Sequence, residues 1–191
     1  LLPQQITEFT NAGLGVGMAT VNMAADPEAE FRGYWSTFST YGSFSYLKYG
    51  MVRLFSQLAQ DCELKVGKVI WVVGHSGPET AEHNEVAPML AAALQMDQPI
   101  IALHLTRPGV KIPDREQLGV PHYKEAAKGA YIIKDYDPKR PKEGVVFVQG
   151  TSTTDSIFEL LPRFLAGEGP NVKLVMAGSW DLFQAQSDAY K

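Results

Sequence analysis

The chain has 191 residues, of which 45% are hydrophobic and 20% charged, which supports one or two packed domains and excludes intrinsic disorder. Lys and Arg number 17 against 21 Asp and Glu, for a net charge of −4, and this acidic balance argues against a nucleic-acid binder. The single cysteine, Cys62, excludes an internal disulfide framework and a multi-cysteine zinc site. We therefore expect a reducing compartment, the cytoplasm.

Two helices are predicted in the first third of the chain. Residues 6–24 are apolar and small, and Gly13 and Gly17 share one helical face that lets another backbone approach closely. Helix packing is favoured over a dinucleotide-binding loop for these glycines, because no strand precedes them. Residues 46–60 have the pattern of an amphipathic helix. Its apolar positions are Leu47, Gly50, Met51, Leu54, Phe55 and Leu58.

The middle of the chain alternates strands with a helix. A strand, a loop, a helix and two further strands are predicted over residues 68–73, 74–82, 85–96, 100–105 and 129–133. His75 directly follows the first of these strands and Arg107 the second, at the sheet edge where α/β proteins bind ligands. An ordinary loop histidine and a surface arginine remain the alternatives. His104 is predicted to be a core or interface histidine, and His122 to be solvated.

The last third contains a β-α-β unit. Residues 135–143 hold two prolines and mostly charges, so they are predicted to be a linker. A strand at 145–148, a helix at 154–166 and a strand at 172–176 imply parallel pairing. The helix follows Gly150, and the segment 150–155 is either a plain helix cap or an anion cradle. Overall, the chain belongs to the α/β class.

Neither membrane insertion nor secretion is expected from the sequence. No run approaches the roughly 18 apolar residues that a membrane-spanning helix needs. The first five residues, Leu1 to Gln5, lack the basic and apolar regions of a signal peptide.

The segment around Glu8 carries a family resemblance. From residue chemistry alone, Glu8 is either an exposed acid at the start of a helix or a buried acid with a perturbed pKa. Ile6-Thr7-Glu8-Phe9, followed by Gly13 and Gly17, resembles the Gly-Ile-Ala-Glu-Gln helix of the transketolase pyrimidine-binding domain. The resemblance implies that Glu8 contacts the N1′ nitrogen of the thiamine diphosphate aminopyrimidine and promotes activation of the cofactor.

The aromatic segment 36–44 is similar to the Ser-Thr-Phe-x-x-Phe motif of the same family, whose rings pack against the pyrimidine. The motif fits in two registers. One uses Phe38 and Tyr41, and the other uses Tyr41 and Phe44 and runs without a gap into Met51-Val52-Arg53. We favour the second. A core aromatic cluster is the alternative interpretation.

Further along the chain, the resemblance implies two more site residues and one break. His75 matches a histidine on the substrate side of the thiazolium, and Arg107 matches an arginine that binds the sugar phosphate, although Pro108 departs from the motif. After Glu82 the sequence resumes at a helix that lies well downstream in transketolases. We therefore hypothesise that residues are missing at the Glu82–His83 junction.

The C-terminal part also resembles the family. Gly129-Ala130-Tyr131 is similar to a Gly-Gly-Tyr motif at the end of the pyrimidine-binding domain, and 145–191 to the opening of the transketolase C-terminal domain. The implied architecture is a parallel-sheet, three-layer pyrimidine-binding domain over residues 1–137 and a partial C-terminal α/β domain over 138–191.

The implied activity is transfer of a two-carbon ketol unit between sugar phosphates, a reaction of carbohydrate metabolism. Thiamine diphosphate and Mg²⁺ would be anchored mainly by a separate diphosphate-binding domain, whose Gly-Asp-Gly…Asn motif this sequence lacks, so no metal ligand is assigned here. The partner is expected to be a second copy in a homodimer or a complementary subunit. The alternatives are the decarboxylating component of a 2-oxoacid dehydrogenase and a non-catalytic subunit. Residues 24–33, which resemble no family segment, keep the latter open.

Overall fold

The computed structural model describes residues 7–20, 34–39, 41–61, 66–75, 83–106 and 109–191. For Gly42 and Ser43 it describes the backbone alone. The chain divides into two compact units. The first comprises Leu1–Gly77 and Met96–Arg107, and the second comprises Pro78–Gln95 and Pro108–Lys191. Among these described residues, each unit contains one three-stranded sheet. Within the described ranges, no helix has both the length and the apolar character needed to cross a membrane.

The first unit is a parallel sheet with two helices. Strands β1 (Tyr34–Ser39), β2 (Lys68–Val73) and β3 (Ile100–His104) lie in the order β1-β2-β3, and both pairings are parallel. Helix α1 (Glu8–Ala19) packs on β1 and on α2 (Tyr46–Asp61). Ala19, Phe55 and Val69 form a buried cluster between these elements. This confirms the predicted parallel α/β architecture for the first unit.

Helix α2 turns a different face to the core from the one predicted. Its buried residues are Lys48, Val52 and Phe55, which recur at helical spacing on one side. Leu47, Leu54 and Leu58 are instead 40%, 62% and 36% exposed. The apolar pattern predicted the helix and the burial of Phe55 correctly, but it missed Lys48 because a lysine was not counted as a core residue.

The second unit is built on a mixed sheet. Strands β4 (Ala130–Lys134), β5 (Gly144–Val148) and β6 (Val172–Ala177) lie in the order β4-β6-β5. The β5–β6 pair is parallel and is connected through α4 (Thr151–Leu165), as the β-α-β pattern predicted. Strand β4 is antiparallel to β6. Two shorter helices, α3 (Val86–Leu94) and α5 (Trp180–Gln184), complete the unit.

The predicted linker is a fixed loop of the second sheet. Residues 135–143 connect β4 to β5, and the buried side chain of Asn171 binds them. Its Nδ2 donates to the carbonyl oxygens of Asp137, Arg140 and Pro141 at 3.0, 3.1 and 3.0 Å. Its Oδ1 accepts from the amide of Asp137 at 2.9 Å. The prolines and charges therefore mark a turn within one compact unit. The division into domains of residues 1–137 and 138–191, which the family resemblance implies, remains a prediction.

Candidate functional site

Glu8 is a buried carboxylate at the first residue of α1. Of the two environments that the sequence left open, the structure has the buried one. The hydroxyl of Ser39 donates a hydrogen bond of 3.2 Å to Oε2 of Glu8. The position at a helix N-terminus adds a favourable interaction between the negative charge and the helix dipole.

Lys48 is the counter-ion of Glu8. Its Nζ lies 3.1 Å from Oε2 of Glu8, and the lysine side chain is fully buried. The same Nζ donates to Oγ1 of Thr37 and to the carbonyl oxygen of Phe38, both at 2.6 Å. Burial lowers the pKa of Lys48, and the hydrogen bond and charge of Glu8 partly offset this effect. Sequence reasoning missed this residue, although its spacing of four from Val52 and seven from Phe55 places it on the buried stripe.

Ser39 joins Glu8 to the carboxyl ends of β1 and β2. The indole Nε1 of Trp71 donates to Oγ of Ser39 at 3.1 Å, and the amide of Gly74 donates to the carbonyl oxygen of Ser39 at 2.8 Å. Because Gly74 precedes His75, these bonds place the carboxylate and the histidine at one end of the parallel sheet. This is the end at which α/β proteins bind ligands.

Three rings lie together at this end of the sheet. The ring of Tyr41 meets Phe44 edge to face at 5.7 Å between centroids, and it meets His75 at 5.0 Å. Tyr41 and Phe44 are 42% and 41% exposed, so they form a partly open aromatic surface and not a closed core cluster. The exposed ring of Phe38 lies against Gly74. A Cβ added to Gly74 would stand 2.8 Å from Cζ of Phe38.

His75 has an unusual backbone conformation for the residue that follows a strand. Its φ is 49°, which is the left-handed region that non-glycine residues seldom adopt. Its Nδ1 is buried and has no hydrogen-bond partner among the described residues. Strained residues of this kind are concentrated at functional sites, so His75 is the strongest candidate for a role beyond packing.

Several other predicted features have simpler outcomes. Arg107 and the Glu82–His83 junction lie outside the described residues, so both stay predictions. His104 lies in β3, where burial lowers its pKa. His122 is exposed and caps a short 3₁₀ helix, where its Nδ1 accepts from the amide of Lys124. Within the described ranges, no group of three or more His, Cys, Asp or Glu side chains is placed to hold a metal ion.

The two glycine-containing motifs both lie at helices. Gly13 and Gly17 are inside α1, which supports the helical interpretation over a dinucleotide loop, and an added Cβ at Gly13 would touch Met51 of α2. Helix α4 begins directly after Gly150, which has a φ of 88°.

The second unit contains a buried polar cluster that the sequence did not reveal. Nη2 of Arg115 lies 2.6 Å from Oε1 of Glu85, and Nη1 donates to the hydroxyl of Tyr131 at 2.8 Å. The Tyr131 hydroxyl also donates to Oε1 of Glu85. Burial and the Glu85 carboxylate raise the pKa of Tyr131. All three side chains are enclosed and mutually paired, so the loss of any one of them would leave a buried polar group without its partner.

Comparison with known proteins shows the class to which this fold belongs. No protein-family model matches the chain, and no curated protein matches it. Solved transketolases do match. The transketolase of Pichia stipitis in complex with sedoheptulose 7-phosphate is 20% identical with a TM-score of 0.61, over 85% of this chain and 25% of that one. The Leishmania mexicana enzyme is 19% identical with a TM-score of 0.58, over 84% and 25%. The Campylobacter jejuni enzyme is 17% identical with a TM-score of 0.58, over 96% and 29%.

The chain therefore has a transketolase-like fold. It spans about a quarter of the length of the transketolases that it matches. The likeness confirms the fold class predicted from the sequence. The roles expected for Glu8, Phe38, Tyr41, Phe44, His75 and Arg107 remain proposals.

Proposed function

We propose that this chain supplies the pyrimidine-side half of a thiamine-diphosphate-dependent site that transfers a two-carbon unit between sugar phosphates. The observation that carries the proposal is the buried carboxylate of Glu8 at the ligand-binding end of a parallel sheet. A partly exposed pair of rings, Tyr41 and Phe44, lies at the same end. The transketolase-like fold supports this choice of cofactor class.

The residues present fit an aminopyrimidine in chemical type. Such a ring offers nitrogen atoms to a carboxylate and flat apolar faces to aromatic side chains. The contacts of Glu8 with Ser39 and Lys48 fall on Oε2, so we assign Oε1 to the ligand. Tyr41 and Phe44 would pack against the ring, with Phe38 as the other candidate. When bound, thiamine diphosphate supplies the carbon centre that holds the transferred unit.

His75 and Arg107 are proposed to act on the sugar phosphate. The strained backbone of His75 and its Nδ1, which has no partner among the residues that the structure describes, suit a side chain that moves a proton at a bound substrate. Arg107 would bind the phosphate group through its guanidinium.

The chain is proposed to act with a second subunit or copy that holds the diphosphate and Mg²⁺. Leu47, Leu54 and Leu58 form an exposed apolar stripe on α2, and a contiguous stripe of this kind favours a protein contact. This assembly would complete a site of which the chain contributes the pyrimidine-binding side.

A non-catalytic, transketolase-like subunit is the second candidate, because of the Glu8–Lys48 ion pair. The buried ammonium of Lys48 already neutralises the negative charge of the Glu8 carboxylate, which a cofactor would otherwise contact. In this candidate the pair only ties α1 to α2 and β1.

An activity assay separates the two candidates. The chain is combined with a transketolase diphosphate-binding domain, thiamine diphosphate and Mg²⁺, and supplied with a ketose phosphate donor and an aldose phosphate acceptor. We expect turnover that E8Q abolishes and that E159Q, at an exposed position of α4, leaves unchanged. Assembly without turnover favours the non-catalytic subunit. Turnover of pyruvate with an artificial electron acceptor instead points to a 2-oxoacid dehydrogenase component.

A further inference from the structure

We propose that a cavity in the second unit binds a small organic cation, an ammonium group carried on an apolar body. The cavity lies between the loop of residues 110–118 and the side of helix α4. Its volume is about 450 Å³, which is within the range of small-molecule sites. The inference concerns a part of the chain to which the proposed function gives no role, and it does not rest on that function.

Thr154 brings to this cavity a polar group that lacks a partner. It lines the cavity, it is only 1% exposed, and its Oγ1 has no hydrogen-bond partner among the described residues. A serine or threonine hydroxyl in a helix often donates to the carbonyl four residues earlier, as Ser156 does to Ser152 at 3.1 Å. At Thr154 only the backbone amide bonds to the carbonyl of Gly150, at 2.9 Å. A buried hydroxyl without a partner costs free energy, and a ligand in the cavity would remove that cost.

The charges that line the cavity favour a cation. The half-buried Asp155 of α4 and Asp114 of the loop both line it, against the single lysine Lys111. The ion pairs in the described part of this unit join other side chains, so neither aspartate is neutralised by one of them. The lining residues of α4 are three or four positions apart and therefore share its side. A ligand there meets carboxylates, and the anion cradle considered for residues 150–155 is not what the cavity offers.

The apolar walls of the cavity are held in place without a ligand. Phe158 of α4 and Leu118 of the loop supply apolar surface. The buried guanidinium of Arg115 donates to the carbonyl oxygen of Pro121 at 2.9 Å and lies 5.4 Å from the ring centroid of Phe158. This contact joins the loop to α4. A site whose walls are already fixed loses less entropy when a ligand binds.

The test compares three small probes that share a phenyl ring and differ in charge. Phenethylamine is a cation at neutral pH, as the ammonium of lysine is, phenethyl alcohol is neutral and phenylacetate is an anion. Each is titrated into the full chain and followed by NMR. We expect phenethylamine to bind at least about tenfold more tightly than the other two, the effect of a hydrogen bond to a charged group. The shifted signals should belong to α4 and to residues 110–118.

Two variants separate a ligand site from a structural feature. D155N should weaken phenethylamine binding about tenfold and leave the binding of phenethyl alcohol unchanged. T154V replaces the hydroxyl by a methyl group and should also weaken phenethylamine binding. It should not lower the free energy of unfolding, because the hydroxyl has no partner in the described protein. The matched control is D188N, which removes an exposed carboxylate of the same unit and should bind phenethylamine as the wild type does.

Several results would overturn the inference. These are equal phenethylamine affinities of the wild type, T154V and D155N, equal affinities of the wild type for the three probes, and absence of phenethylamine binding. A T154V protein that is clearly less stable than the wild type would show that the hydroxyl serves the fold and would overturn it too. None of these results bears on the proposed function, which is tested through Glu8 in the first unit.

Discussion

Nζ of Lys48 lies 3.1 Å from Oε2 of Glu8, and the two side chains are only 0% and 6% exposed. This ion pair joins α2 to the start of α1, and the other two hydrogen bonds of the ammonium fix it to β1. A buried ion pair is a weak source of net stability, but loss of one partner leaves an uncompensated buried charge. Replacing one partner should therefore destabilise the protein more than replacing both partners together.

A double-mutant cycle on the pair should show strong coupling. We expect E8Q and K48M each to lower the free energy of unfolding by about 3–5 kcal/mol. E8Q/K48M should lose clearly less than the sum, because the double variant buries no lone charge. Denaturant unfolding of the four proteins measures the cycle, and additive losses would contradict the pairing.

The pH dependence of E8Q stability follows from the burial of Lys48. Burial lowers the pKa of Lys48 from 10.5, and Glu8 opposes that shift, so E8Q should lower it further. Between this lowered pKa and 10.5 the unfolded chain binds more protons than the folded chain, so the free energy of unfolding rises with pH in that window. The slope is measured against E8Q/K48M, which lacks the titrating amine. If the free energy of unfolding changed equally with pH in E8Q and in E8Q/K48M, the result would contradict a lowered pKa for Lys48.

The polar cluster of the second unit should behave in the same way. R115M removes the guanidinium that meets Glu85 and Tyr131, and we expect it to lower the free energy of unfolding by about 3–5 kcal/mol. The matched control is R163M, because Arg163 forms an exposed ion pair with Glu168 at 2.8 Å. Its loss should cost less than about 1 kcal/mol. Similar losses in the two variants would show that the Arg115 cluster is not enclosed.

Gly129 and Gly119 form a matched pair of left-handed glycines, with φ of 83° and 66°. An added Cβ at Gly129 would overlap the backbone of Phe183 and Ser179, whereas Gly119 faces open space. G119A should cost about 1–2 kcal/mol from its conformation alone. G129A should cost more than about 4 kcal/mol, a loss that requires a specific clash. Thermal unfolding of both variants tests this, and equal shifts would argue against the close packing of α5 on Gly129.

Asn171 should be essential for the loop that precedes β5. We expect N171A to lower the free energy of unfolding by about 2–3 kcal/mol, since it leaves several backbone carbonyls of that loop without donors. N171D should be at least as harmful, because a carboxylate would face the same carbonyl oxygens. Limited proteolysis within 135–143 measures the release of the loop. Wild-type resistance in both variants would contradict the assigned role.

The sequence revealed the elements of this fold better than their contacts. Hydrophobic runs such as 68–73 predict a strand because burial on both faces needs continuous apolar side chains, and the structure has β2 at those residues. Strand β1 was not predicted, since Ser36, Thr37 and Ser39 interrupt its apolar run and the residues from Ser36 onward were interpreted only as an aromatic motif. The buried face of α2 was not recognised because Lys48, despite its helical spacing from Val52 and Phe55, was not counted as a core residue, and its partner Glu8 is 40 positions away in the sequence.

Two residues of the candidate site were predictable from the sequence, whereas the residues that contact them were not. Glu8 and His75 stood out by their positions at a helix start and a strand end, and the structure brings the elements that hold them to one sheet edge. Ser39, which bonds to both Glu8 and Gly74, carried no local signal, because hydrogen bonds between distant residues depend on the final packing. Lys48, which pairs with Glu8, was marked only by its helical spacing from Val52 and Phe55.

The most direct test of the central claim is whether Glu8 binds the cofactor. Thiamine diphosphate and Mg²⁺ are titrated calorimetrically into the chain combined with a transketolase diphosphate-binding domain, for the wild type, E8Q and E159Q. We expect binding by the wild type and E159Q and at least an approximately tenfold weaker affinity for E8Q, the loss of one hydrogen bond to a charged group. Circular dichroism establishes that E8Q is folded. Equal affinity of folded E8Q and the wild type would contradict the assignment of Glu8, and absence of binding by the wild type would contradict the proposed function itself.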